Sequence, residues 1–198
     1  SILDVSPNSL SAMGAVCCAQ RAKEATPIPH GERIVFDDIG VMVPEVIMPR
    51  GDVDMTKWAV IACDQYTAEK SYWQRVHATV GDSPSMLHLI YPEVYLPEKR
   101  DTEYINGIRE KMHEYESNKV FETLSPGFVL VDRKTPSVAS RKGLIVALDL
   151  ELYSFEKESQ SLIRATEATI EERLPPRIAV REKATIESPH ILVLLDDP

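Results

Sequence analysis

No stretch of this 198-residue sequence approaches the ~18 consecutive apolar residues that a membrane-spanning helix needs, so no membrane partner is expected. Basic residues are also in short supply, 22 Lys and Arg against 31 Asp and Glu, for a formal charge of -9. A nucleic acid or an anionic membrane surface demands the opposite balance, because binding there works by displacing counterions with clustered cations. Nucleic acid is therefore excluded as a partner, and the acidity reads as a contribution to solubility. Glycine occurs only eight times, and no Gly-x-x-x-x-Gly-Lys, Gly-x-Gly-x-x-Gly, Gly-x-Ser-x-Gly or His-Glu-x-x-His is present. The familiar phosphate loops, dinucleotide folds, nucleophile elbows and helical zinc sites are thereby set aside. The three cysteines, Cys17, Cys18 and Cys63, form neither a disulfide framework nor a metal-ligand spacing. A reducing, cytoplasmic setting is expected.

What is present reads as α/β, with about seven strands and three helices. Residues 1–40 look like a flexible N-terminal extension, and residues 41–198 like the α/β domain. Val41 to Met48 is an apolar run broken by Pro44, which suggests an edge strand or bulge. Lys57 to Cys63 is continuously β-prone and predicts a strand buried on both faces that delivers Asp64 and Gln65 to its C-terminal end. Thr67 is positioned to cap a helix carrying Tyr72, Trp73, Val76 and Val80 at helical spacing, with Gly81 as its stop. Met86 to Tyr91 predicts a strand ended by Pro92. Over Asp101 to Ser117, Ile105, Ile108, Met112 and Tyr115 fall on one helical face. Strands follow at Phe121 to Leu124, Phe128 to Val131 and Leu144 to Leu148, then at Arg177 to Arg181 and Ile191 to Leu195. A helix starting near Thr166 should pack on a sheet containing the strands at Val60 and Val193.

Chemistry concentrates near the C-terminus. Arg164, Arg173, Arg177 and Arg181, four of the 22 basic residues, fall within eighteen positions. If a strand ends near Ile163 and a helix begins at Thr166 or Glu167, the free amides of that helix welcome an anion. Thr166 and Thr169 add hydroxyls, while Arg164, Arg173 and Arg177 supply guanidinium forks suited to phosphate or carboxylate. Glu167, among arginines, is the candidate catalytic carboxylate for a substrate hydroxyl. The competing reading is structural: Thr166 caps the helix, Glu167 and Glu171 complement its dipole, and the arginines pair with Glu171, Glu172 and Glu187. Asp64 and Gln65, at the end of a buried strand, occupy a position where α/β sheets place ligand contacts, although Asp64 also suits a helix cap. His190 reads as a packed residue. Asp196 and Asp197 read as a solvated terminal pair, and no metal site is predicted.

Several motifs together resemble the domain-of-unknown-function 1015 family. They are Lys57-Trp-Ala-Val-Ile-Ala-Cys-Asp64-Gln-Tyr-Thr67, Tyr91-Pro-Glu-Val-Tyr-Leu96, Arg141-Lys-Gly-Leu-Ile-Val-Ala-Leu-Asp149, Ser161-Leu-Ile-Arg-Ala-Thr-Glu167 with Leu174-Pro-Pro-Arg177, and Pro189-His190 with Leu195-Asp-Asp-Pro198. Members of that family are about twice this length, and their second half carries an Asp-Gly-His-His-Arg or Asp-Gly-Asn-His motif similar to that of ParB-like free-serine kinases. This chain has no Asp-Gly pair, so it is expected to correspond to the N-terminal half of a longer family protein, or to a separately encoded or truncated version. The resemblance implies a kinase-like phosphotransferase half with a small polar or phosphorylated metabolite as ligand. Glu167 would then be the base, with Arg164 and Arg173 near the substrate. The family's C-terminal half or a second copy of the chain is the expected partner. No cofactor is specified. The alternative is a non-catalytic fragment or assembly module whose arginines are structural.

Overall fold

The computed structural model describes residues 34–98, 101–154, 156, 158–164, 170–188 and 190–193. They contain four α-helices and nine short strands, an α+β arrangement linked by 3-10 turns. The mixed α/β class thus holds, with more and shorter strands than the sequence suggested. Contact density divides the chain into two units. A helical unit contains residues 49–121 together with the described residues beyond 170; a strand unit contains residues 34–48 and 122–170. No helix among the described residues is long and apolar enough to cross a membrane.

In the helical unit, Asp54 starts α1 (Met55–Trp58) by accepting hydrogen bonds from Thr56 N at 2.9 Å and Thr56 Oγ1 at 2.6 Å. Helix α2 (Lys70–Val80) ends at Gly81, whose φ of +55° suits a helix C-terminus and whose N–H donates to His77 O. Helix α3 (Asp101–Ser117) buries Ile105, Ile108, Met112 and Tyr115, the face its spacing predicts. Each such apolar side chain contributes roughly 1.5–3 kcal/mol on burial. Helix α3 packs against the 3-10 turn Met86–Leu89 and against α4 (Leu174–Arg181). Trp58, Trp73, Leu89, Met112 and Tyr115 lie in the core that results.

Four expected strands of this unit take other forms. Asp54 draws Trp58 into a helical turn, and Ala59 continues in extended backbone, but no ladder forms over Trp58–Ala62. Burial without pairing satisfies the same β-prone run: Trp58 and Ile61 are in the core. Met86–Leu89 is a 3-10 turn because Ser85 Oγ accepts from Leu87 N at 3.1 Å, a cap that competes with strand pairing. Arg177–Arg181 lies within α4, where Pro175 and Pro176 pre-set the first helical turn. Ile191, Leu192 and Val193 are exposed and outside any strand, so Val60 and Val193 share no sheet. Thr67 precedes α2 without capping it; Glu69 occupies the cap position. The helix expected near Thr166 lies outside the described residues.

In the strand unit, β1 (Val35–Phe36), β2 (Val41–Met42) and β7 (Ala147–Leu148) form an antiparallel sheet in the order β1-β2-β7. The turn between β1 and β2 passes through Gly40 at φ +62°, where a Cβ would come within 2.6 Å of Leu152 Cδ1. Thus the end of the stretch read as an extension is built into a sheet, while residues 1–33 lie outside the described residues. The single strand expected over Val41–Met48 is divided at Pro44 into β2 and β3 (Ile47–Pro49), and β3 pairs with β4 (Phe121–Thr123). Strands β5 (Val129–Thr135) and β6 (Val138–Ile145) make an antiparallel hairpin, and β8 (Tyr153–Ser154) pairs in parallel with β9 (Ile163–Arg164).

A buried polar network in the helical unit predicts a pH response. The Tyr115 hydroxyl accepts from Ser85 N at 2.9 Å and lies 2.7 Å from His88 Nδ1. Burial first, then Lys111 and His77, lower the pKa of His88, against weaker opposition from a Gly81 backbone hydrogen bond and Glu114. Burial lowers His77 as well. A histidine with a depressed folded-state pKa takes up its proton more readily when unfolded, so stability is lost as pH falls below the ordinary histidine value near 6.5. Urea midpoints measured from about pH 8 to about pH 5 should fall in the native protein and fall less in His88→Gln. An unchanged slope in that variant would remove His88 from the account.

Candidate functional site

The helical unit gathers charge around one carboxylate that sequence reasoning did not single out. Glu93 follows the buried pair Tyr91-Pro92 at the start of the 3-10 stretch Glu93–Glu98, and its N–H donates to Cys63 O at 2.8 Å. Its side chain is only 6% exposed. A carboxylate removed from water to that degree requires cations or strong donors. Two arginines meet it: Arg173 Nη1 lies 3.2 Å from Glu93 Oε2, and Arg177 Nη2 donates to Glu93 Oε1.

Local structure explains how both reach the same group. Arg173 closes the 3-10 turn Glu171–Arg173 and caps α4, and Arg177 follows four residues later, one helical turn along. Pro175 and Pro176 carry no N–H, so the guanidiniums, rather than a row of backbone amides, dominate the donors at this helix start. Burial works against the Arg177 charge, yet the Glu93 hydrogen bond and charge outweigh it and hold the pKa above its ordinary value.

Asp64 stands at the edge of the cluster, with Oδ2 4.0 Å from Arg177 Nη2, and Gln65 Nε2 donates to Asp64 Oδ1 at 3.4 Å. The two residues occupy a turn rather than a strand end. Gln65 N donates to Ala62 O, Trp73 Nε1 donates to Gln65 O at 3.2 Å, and Tyr66 takes a φ of +51°. Tyr66 then stacks on Tyr72 with ring centroids 4.2 Å apart. Cys63 lies partly buried beside this turn; burial, then the Asp64 charge, push its pKa up, with Arg177 opposing and Glu93 adding. At neutral pH it is a thiol, not a nucleophilic thiolate.

The structure therefore brings Arg173 and Arg177 together on Glu93, with Asp64 beside Arg177 and Gln65 beside Asp64. Arg164 belongs to the strand unit, at the end of β9, where Nη1 donates to Ser159 O at 3.5 Å. Arg181 pairs with Glu187 at 3.2 Å, as the structural reading of the arginines expects. Thr166, Glu167, Thr169, Asp196 and Asp197 lie outside the described residues, and His190 is exposed. Among the described residues no group of three or more His, Cys, Asp and Glu is arranged to hold a metal ion. Glu93 had a signal in the sequence, since it is the one charged residue between Met86 and Leu96. A lone carboxylate flanked by apolar residues on both sides is carried into a core, and a core carboxylate needs a cation.

The quoted motif that holds Glu93, Tyr91-Pro-Glu-Val-Tyr-Leu96, and those that hold Asp64 and Arg177 all fall inside the stretch, residues 47–198, that matches the protein family of unknown function DUF1015. The chain belongs to the DUF1015 family. Comparisons with curated proteins and with solved structures find no match. In this DUF1015 chain, the segments that hold Glu93 and Arg177 thus meet at one buried carboxylate, and the segment that holds Asp64 meets Arg177.

Proposed function

We propose that this DUF1015 domain binds a small anionic metabolite, through a phosphate or a carboxylate, at Arg173 and Arg177. The observation that supports it is the pinning of two guanidiniums, 40% and 43% exposed, by one carboxylate that is 6% exposed. Each guanidinium carries five N–H donors, so both retain donors after meeting Glu93. Glu93 also holds them in fixed orientations, which lowers the entropic cost of gripping a ligand. Asp64, 42% exposed and 4.0 Å from Arg177, sets the rim. In the phosphotransferase form of this reading, the domain is the metabolite-binding half of a kinase-like enzyme and Glu167 orients the substrate hydroxyl. Positioning and charge stabilisation carry phosphoryl transfer, which fits a site made of arginines. A cytoplasmic setting accompanies this reading.

A second reading has its own support in the depth of Glu93. Two arginines neutralising one buried carboxylate also serve to fasten α4 to the core, as in a non-catalytic assembly module. A thermal-shift screen of phosphate, pyrophosphate, nucleotides and free amino acids separates the two. Selective binding to the native state stabilises by about 2.7 kcal/mol at a ligand concentration of about one hundred times Kd. The anion reading expects a rise in Tm with at least one of these ligands and a smaller rise in Arg173→Gln, which leaves the Arg177–Glu93 contact in place. A screen in which no anion raises the Tm of the native chain would favour the fastening role.

A further inference from the structure

Helices α3 and α4 pack against each other in the helical unit but are held in place by different means. Helix α3 buries Ile105, Ile108, Met112 and Tyr115. Helix α4 fully buries none of its residues. Val180 reaches the core as a partly buried neighbour, whereas Ile178 is 59% exposed. Burial of apolar surface, the main force that holds an element to a core, is therefore small for α4.

Polar contacts take the place of burial. Near the start of α4, Arg173 and Arg177 meet Glu93, and near its end Arg109 Nη2 of α3 donates to Ala179 O at 2.6 Å. The first contact is made through guanidiniums that stay partly exposed, so dissolved ions reach and screen it. The second is incomplete: Arg109 Nε is buried with no hydrogen-bond partner among the described residues. A buried donor left without a partner counts against the docked state, and it regains water when the helix lifts away. Beyond α4 the chain is anchored again, since Ile186 is buried in the core and Ser188 Oγ donates to Met86 Sδ at 3.9 Å. Between helix and anchor lies a turn that begins at Glu182 and in which Ala184 N donates to Arg181 O, which provides a pivot.

We propose that α4 is a latch: it lifts from α3 as a unit, pivoting at the turn ahead of the anchored Ile186, and ionic contacts rather than the core keep it shut. Both guanidiniums travel with it, so the arrangement at Glu93 exists only in the closed position. The lifting does not depend on whether the arginine pair binds an anion. Native-state hydrogen exchange of the full chain, followed by nuclear magnetic resonance, tests it. An isolated helix of eight residues is marginal in water, so the amides of α4 lose protection once it lifts. At low salt the amides of residues 178–182 are expected to be at least about tenfold less protected than those of Ile108 and Met112 in α3. Their protection should fall further in about 1 M sodium chloride and in Arg177→Gln. It should stay unchanged in Val80→Ala, a core change that eases unfolding of the whole unit and so lowers the protection of α3 alone. Should either variant fold poorly, the native comparison and its salt series decide. Equal protection of α4 and α3 at every salt concentration overturns the proposal, because α4 would then open only when the whole unit unfolds. So does an α4 whose protection neither salt nor Arg177→Gln alters, or one whose protection falls with that of α3 in Val80→Ala.

Discussion

Replacing both Arg173 and Arg177 with alanine is expected to lower stability by about 3–5 kcal/mol, far beyond the ~0–1 kcal/mol of an exposed ion pair. The asymmetry of the contact is the reason. The guanidiniums are 40% and 43% exposed and cost little when removed, but Glu93 is 6% exposed and is left as an uncompensated charge in the core. A third substitution, Glu93→Gln, should then recover more than half of the loss, because a neutral amide is far cheaper to bury than a carboxylate. Arg177→Ala alone should cost less than the double variant, since Arg173 still lies 3.2 Å from Glu93 Oε2. Urea denaturation of the native chain and the three variants gives the complete comparison. If the triple variant is no more stable than the double one, Glu93 does not depend on these arginines, and its place at the centre of the site is lost.

Trp73→Ala is expected to cost a further ~3–5 kcal/mol by a different route, the cavity left by a large core side chain. Trp73 is fully buried and contacts Tyr72 edge-on at 5.6 Å. Its indole N–H also donates to Gln65 O, which links the core of α2 to the turn carrying Asp64. Trp73→Phe separates the two contributions. It keeps much of the volume but strands the Gln65 carbonyl, so a loss of about 1–3 kcal/mol is expected. The released turn should also shift the amide signals of Asp64 and Gln65 in nuclear magnetic resonance spectra. A Trp73→Phe protein with native stability and unmoved signals would show that the indole hydrogen bond does not hold the turn.

The parts of this fold that were legible in the sequence are those where one physical requirement dominates. Helix α3 is long enough for Ile105, Ile108, Met112 and Tyr115 to declare a single buried face, and no β pattern competes with it. Gly81 ends α2 because a positive φ is costly for other residues. The failures are short segments in which a local cap decided the outcome. Asp54 and Ser85 each begin a turn just ahead of a β-prone run, and the pair Pro175-Pro176 opens a helix where alternation suggested a strand. Five or six apolar residues satisfy burial equally well as a strand, a 3-10 turn or unpaired extended chain.

The candidate site shows the same division. The arginines at positions 173 and 177 were recognisable from their spacing and chemistry, as was Asp64 from its place after an apolar run. Their common partner was not, because Glu93 lies eighty residues before Arg173 and nothing local announces the contact. The lone carboxylate in an apolar stretch stated a need for a cation without saying which one. Arg164, alike in chemistry and close in sequence, is instead part of the strand unit.

The central claim, that the Arg173–Arg177 pair held by Glu93 grips a small anion, is tested most directly by calorimetric titration. Inorganic phosphate and pyrophosphate would be titrated into the native chain and into Arg173→Gln, each at low and at high salt. The account predicts saturable binding to the native chain that weakens with salt, and a loss of about tenfold or more in affinity in Arg173→Gln, on the scale of one charge-assisted hydrogen bond. Equal affinity in the two proteins, or no saturable binding of either anion to the native chain, would contradict it.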